Sequence, residues 1–152
     1  MLEYLIYIAV GLLVAVLALA LYVRLAPLRA EAWHADTPPI LKPGTYPGAG
    51  SHVVERRIDG DGRATLEQLD RIIRATPRTR AVAGSTEAGK ITYVTRSAVM
   101  GFPDYTTVTL ARAPDEATVA LQIYGRLRFG RSDLGVNRKR IEGWLAQLDA
   151  AG

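Results

Sequence analysis

Ala117-Thr118-Val119-Ala120-Leu121-Gln122-Ile123-Tyr124-Gly125-Arg126-Leu127-Arg128-Phe129 is the stretch that decides the fold. Val119, Leu121, Ile123, Leu127 and Phe129 point to one side of an extended chain, and Thr118, Gln122, Tyr124, Arg126 and Arg128 point to the other. Successive side chains alternate across a strand, so this pattern predicts one face packed on a core and one that meets water or a partner. Before it stands the turn Ala113-Pro114-Asp115-Glu116, and before that Tyr105 to Ala111, whose threonines and β-branched residues suit a second strand. Gly101-Phe102-Pro103-Asp104 is a further turn. A hairpin precedes it, with a short strand from about Arg80, the turn Glu87-Ala88-Gly89 and a strand from Lys90 to about Val99.

Further out, Leu66, Leu69, Ile72 and Ile73 recur at helical spacing, with Thr65 and Gln68 spaced as a capping box and Pro77 as the stop. His52 to Asp59 reads as a first strand, closed by Gly60-Asp61-Gly62. On the C-terminal side, a helix is expected from about Val136 to Leu148, with Ile141, Trp144, Leu145 and Leu148 as its buried stripe. The order is βα, then a β-meander, then α. It predicts an α+β domain over residues 51–149, an antiparallel sheet of about five strands with two helices on one face. A unit of that size can bury one core.

Upstream, residues 24–50 carry Pro27, Pro38, Pro39, Pro43 and Pro47, which exclude a long helix or a central strand and predict an extended spacer. Trp33 either lies at a membrane interface or caps the domain. His34 has no second ligand at metal-site spacing. Ahead of the spacer, Tyr4 to Val23 has no charge and no proline and spans about 30 Å as a helix, the thickness of a bilayer core. Tyr4, Tyr7 and Tyr22 lie near its ends, where aromatic rings favour the headgroup boundary. A single-pass transmembrane anchor over 4–23 is the expectation. The competing reading is a signal peptide cut near Ala18-Leu19-Ala20, but the apolar run is long and no basic segment precedes it. Arg24 and Arg29 follow the span while Glu3 precedes it, which favours a cytoplasmic domain.

The chain has no cysteine, so disulfides, thiolate metal sites and cysteine nucleophiles are excluded. Its net charge is +4, and among its 19 basic residues only Lys42, Lys90 and Lys139 are lysine. Arginine suits phosphate and carboxylate recognition, and it is equally what a GC-rich genome supplies.

Gly130-Arg131-Ser132-Asp133-Leu134-Gly135-Val136-Asn137-Arg138-Lys139-Arg140-Ile141 resembles the C-terminal signature of the family called domain of unknown function 1499, a glycine followed by Ser-Asp-x-Gly-x-Asn-Arg-x-Arg and a final helix. Thr95-Arg96-Ser97 and Gly101-Phe102-Pro103-Asp104-Tyr105 resemble its middle motif, and the likeness runs over roughly residues 38–149. A cysteine pair carried by many members is missing here, and Arg128-Phe129 stands where the family often has Ser-Arg. The resemblance implies no agreed activity. It implies an exported domain, against the flanking arginines, so the side of the inner membrane stays open.

Two readings of the signature are open. In the first, Arg96, Arg126, Arg128 and Arg138 bind an anionic group such as a phospholipid head, helped by the unpaired N–H groups of a helix N-terminus. In the second the motif is architectural: Ser132 or Asp133 caps the last helix, Gly135 relieves a turn, Asn137 bonds the local backbone, and the arginines pair with Asp104, Asp133 and Glu142. Catalysis is the runner-up class and would use Asp104 and Asp133 with Ser97, Ser132 or nearby arginines. His34 and His52 are the only histidines, and no nucleophile elbow, phosphate loop or zinc-protease motif is present, so no catalytic residue is assigned. No metal or cofactor is expected. Nucleic acid is not expected either, because stacking residues on the strand faces are few. The expected partners are the membrane itself and an anionic lipid or an envelope protein, and a domain acting by binding is the overall expectation.

Overall fold

The computed structural model of the chain describes residues 1–39, 42–112 and 118–152. Helix α1 is Leu2–Leu25 and α2 is Ala30–Ala35; β1 is Gly44–Pro47, β2 Ser51–Ile58, α3 Arg63–Arg74, β3 Thr79–Ser85, β4 Lys90–Arg96, β5 Pro103–Arg112, β6 Val119–Leu127 and α4 Val136–Ala151. The six strands form one antiparallel sheet in the order β1-β2-β6-β5-β4-β3. The turn expected at 113–116 and the first residue of the decisive stretch lie outside the described residues.

β6 sits between β2 and β5, and its alternation sorts the whole sheet. Leu121 and Ile123 face α3 and α4 in a core with Val54, Leu66, Leu69, Ile73, Ile91, Tyr93, Val108, Ile141 and Trp144. The expected stripes are the ones buried: Leu66, Leu69 and Ile73 on α3, and Ile141, Trp144 and Leu145 on α4, with Leu148 packed partly against them. Two polar groups on this side find partners. The Tyr93 hydroxyl donates to Asp70 at 2.6 Å, and Trp144 Nε1 donates to Thr76 Oγ1 at 2.7 Å.

Three local expectations need correction. The sixth strand, β1, lies in the proline-rich stretch; it pairs only with β2, so its proline occupies an edge, where a missing N–H is tolerated. The capping box does not form. α3 starts earlier, at Arg63 after a left-handed Gly62; the Arg63 N–H is taken by Asp61 Oδ1 at 3.0 Å, and Gln68 accepts from Arg71 instead. β4 ends at Arg96, and the chain then loops back to β5, with the Ser97 N–H bonded to the Phe102 carbonyl at 2.9 Å.

The other face of the sheet meets neither water nor a foreign partner over much of its area: the residues after α1 cross it. Trp33 stacks on Tyr105 at 4.3 Å with the rings 4° apart. His34 Nδ1 lies 2.9 Å from Thr92 Oγ1, Lys90 Nζ donates to Thr37 Oγ1 at 3.2 Å, and Gln122 Nε2 donates to the Pro39 carbonyl at 3.1 Å. The Tyr105 hydroxyl donates to the Leu28 carbonyl. Residues 28–39 of the stretch read as a spacer therefore form a strap, anchored by side chains rather than by periodic apolar contacts.

Candidate functional site

α1 is exposed along most of its length and long and apolar enough to cross a membrane, a property that a signal sequence shares. Its C-terminal end is different. Val23 and Ala20 are buried, Tyr22 meets Phe129 edge-on at 6.4 Å, and Arg24 donates to the Val99 carbonyl at 2.7 Å. The same end of the sheet carries the start of β3, the end of β4, the β4–β5 loop and the end of β6.

Two cavities open there. One, of about 400 Å³, is lined by Arg24, Arg78, Arg80 and Arg96 with Thr79, Val94, Ser97, Ala98 and Gly101, and no carboxylate lines it. Among the described residues none of these four arginines forms an ion pair. Backbone carbonyls hold three of them: Arg78 Nε donates to Arg96 at 3.1 Å, Arg96 Nη1 donates to Gly101 at 2.8 Å and Val23 at 3.4 Å, and Arg24 to Val99 as above. Carbonyl contacts orient a guanidinium without cancelling its charge, so Arg24, Arg78 and Arg96 keep their positive charge facing the cavity.

The second cavity, of about 600 Å³, shares Arg78, Arg96 and Ser97 with the first and extends to Pro77, Phe102, Asp104, Leu127, Phe129, Ser132, Asp133, Val136 and Arg140. Burial pushes the Asp104 carboxyl above its ordinary value, and the Arg140 guanidinium at 3.3 Å offsets this in part. For Asp133, burial acts to raise the value, but bonds from Asn137 and from the Gly135 amide outweigh it and hold the carboxyl below its ordinary value. Its two oxygens accept the Asn137 N–H at 2.9 Å and the Gly135 N–H at 3.1 Å.

The structure divides the four arginines expected to act together. Arg96 lines both cavities. Arg126 is buried under the strap: it lies 5.1 Å from the Trp33 ring and 4.3 Å from the Tyr124 ring, and it donates to the Trp33 carbonyl and, at 3.3 Å, to Thr107. Arg128 stands over the Phe129 ring at 4.9 Å and lines neither cavity. Arg138 is on the exposed side of α4, paired with Glu142 at 2.8 Å, and lines neither cavity. Arg24, Arg78 and Arg80 take the vacated places. The one signal for Arg78 and Arg80 was their two-residue spacing at a strand start.

In the signature, Asp133 rather than Ser132 reaches the helix amides, while Ser132 Oγ accepts the Leu134 N–H at 3.3 Å. Gly135 takes the N-cap at φ 79°, a left-handed value that suits glycine. Asn137 is fully buried and accepts from Arg140 at 2.9 Å. Asp104, Asp133, Ser97 and Ser132 do line one cavity, but among the described residues no hydrogen bond joins either serine to either carboxylate. Ser97 Oγ accepts the Phe102 N–H at 2.9 Å. A nucleophile–base pair is therefore not assembled. Among the described residues no group of three His, Cys, Asp or Glu could hold a metal ion.

Because the folded value of Asp133 is depressed, its cap stabilises above the unfolded carboxylate value and is lost as pH falls through the folded one. Asp133→Ala is expected to lower stability by about 1 kcal/mol at pH 7. Denaturant melts of both proteins should converge as the pH is taken below 4 or so.

The fold and the cavities define a small α+β domain behind an apolar helix. The family described as "Protein of unknown function (DUF1499)" matches residues 32–148, and the chain belongs to that family. Among solved structures, the protein MLL2253 from Mesorhizobium loti is 14% identical with a TM-score of 0.47, over 66% of this chain and 97% of that one. A putative uncharacterized protein from Rhizobium leguminosarum is also 14% identical, with a TM-score of 0.31, over 86% of this chain and 82% of that one. No curated protein sequence matches this chain.

Proposed function

We propose that this protein is a single-pass protein of the bacterial inner membrane whose domain binds the anionic headgroups of lipids at the mouth of its own anchor. One observation carries the reading: four guanidiniums without acidic partners among the described residues line one cavity where the apolar helix meets the domain. With α1 across the bilayer, Arg24 marks the boundary, and Arg78, Arg80 and Arg96 stand at headgroup level beside it. A basic residue near an anionic membrane surface contributes about 1 kcal/mol, and a preorganised guanidinium loses less entropy on pairing with phosphate than a free one.

The test uses the full chain in detergent micelles, titrated with dioctanoyl phosphatidylglycerol or dioctanoyl phosphatidylcholine and read by native mass spectrometry. The wild type is expected to retain the anionic lipid preferentially. Arg78→Gln with Arg80→Gln should weaken that retention roughly thirtyfold, two charges at about 1 kcal/mol each. Equal retention of both lipids, or no loss in the double variant, would refute the reading. The side of the membrane follows from Ala88→Cys, an exposed position in a cysteine-free chain. Labelling by an impermeant maleimide after outer-membrane permeabilisation places the domain in the periplasm, and protection until lysis places it in the cytoplasm.

A further inference from the structure

We infer that the 600 Å³ cavity takes the alkyl chain of the same amphiphile whose anionic head the arginines hold, so that one site grips head and tail. This rests on the headgroup reading above and adds a ligand class to it: an anion, phosphate or carboxylate, that carries an alkyl chain.

Three observations carry it. The two cavities share Arg78, Arg96 and Ser97, so a ligand whose charge sits among the arginines has its next atoms at the entrance of the larger space. That space has apolar walls, formed by Phe102, Leu127, Phe129 and Val136, and its volume falls within the range of about 300–1,000 Å³ usual for small-molecule sites. Its two carboxylates are already paired, Asp104 with Arg140 and Asp133 with the helix amides, which leaves Arg78 and Arg96 as the charges in its wall without an acidic partner among the described residues.

An aromatic path also joins it to the apolar helix: Tyr22 touches Phe129 at 6.4 Å, and Phe129 touches Phe102 at 6.1 Å. A chain leaving the bilayer beside α1 meets aromatic surface all the way into the cavity. Val136, at the first position of α4, is half exposed and lines this cavity but not the first, so a large side chain there takes up room in the larger space.

The experiment places the full chain in phosphatidylcholine nanodiscs and adds a decyl phosphate bearing a terminal diazirine, or its carboxylate counterpart. After irradiation, adducts are mapped by peptide mass spectrometry. The expected adducts fall in 97–104 and 127–136, and Val136→Trp should reduce them at least tenfold. Stronger labelling by the phosphate probe assigns the site to phospholipid-like ligands, and stronger labelling by the carboxylate assigns it to fatty acids. Competition gives the same answer without a substitution. Each methylene buried should tighten binding about fourfold, so unlabelled decyl phosphate should compete far better than glycerol phosphate. Adducts confined to 2–25, labelling unchanged in Val136→Trp, or equal competition by the two phosphates would overturn the inference. Arginine-dependent retention of phosphatidylglycerol would survive each of those results, so the headgroup reading and the chain site can fail separately.

Discussion

Replacing Gly84 by alanine is expected to destabilise the domain by about 3 kcal/mol or more. Gly84 sits at φ 76°, just past the register shift between Ala81 and Ala83 in β3, opposite Ile91 of β4. An added Cβ would lie 1.9 Å from the Lys90 carbonyl oxygen and 2.7 Å from the His34 ring. The left-handed backbone alone costs a residue with a Cβ about 1–2 kcal/mol, and overpacking adds about 1–3 kcal/mol. Backbone cannot give way as a flexible side chain can, so the β3–β4 register must shift or the strap must lift. For a domain near 100 residues this corresponds to a fall in Tm of at least about 12 °C. A melt within 3 °C or so of wild type would show that the bulge does not take this geometry.

The second large effect is expected at Trp33. Its ring covers Tyr105 face to face and lies over Arg126, which is itself 4% exposed. Removing the indole loses the stacking, worth about 0.5–1.5 kcal/mol beyond area, and opens a void over a buried guanidinium. Trp33→Ala should cost about 3 kcal/mol in total. The signature of the strap is where the loss appears. Hydrogen exchange should accelerate first at α2 and then at β4 and β5 beneath it, while α3 and α4 on the other face keep their protection. Uniform acceleration through all elements would mean that the strap is not a separate layer.

These two residues also mark what a linear reading can and cannot reach. The alternation of Val119 to Leu127 is periodic, so the antiparallel sheet, the helices of its core face and their buried stripes are legible in the sequence. β1 is not, and the place of Trp33 is legible only as one of two alternatives, a membrane interface or a cap on the domain. α2 has six residues, too few for a period to show, and β1 holds a proline, which the general rule reads against a strand unless its edge position is known. The second face of β6 reads as one that meets water or a partner, and nothing in Gln122 or Arg126 says that the chain's own residues 28–39 cover it.

The candidate site was legible in part for a similar reason. Arg96, Asp104, Ser132 and Asp133 stand in motifs and do line one cavity. Arg126 of β6 looks equivalent in sequence to Arg96, yet strand pairing puts it under Trp33 and leaves Arg96 beside the end of α1. Arg138 follows Asn137 in the signature, but helical rotation turns it outward to Glu142 while Asn137 turns in. Arg78 and Arg80 lie outside every motif. Only the hairpin that returns β4 alongside β3 brings them to Arg96.

The central claim is that the arginine cluster stands at lipid-headgroup level. It is tested most directly by depth. Ala98 lines the cluster, and Ala88 lies at the opposite end of β4, about 20 Å away along the strand. A single cysteine is placed at either position in the cysteine-free chain, labelled with a fluorophore and reconstituted in nanodiscs that contain headgroup-nitroxide lipid. The account predicts strong quenching at position 98 and little at position 88. Equal quenching at the two positions, or more at 88, would contradict it.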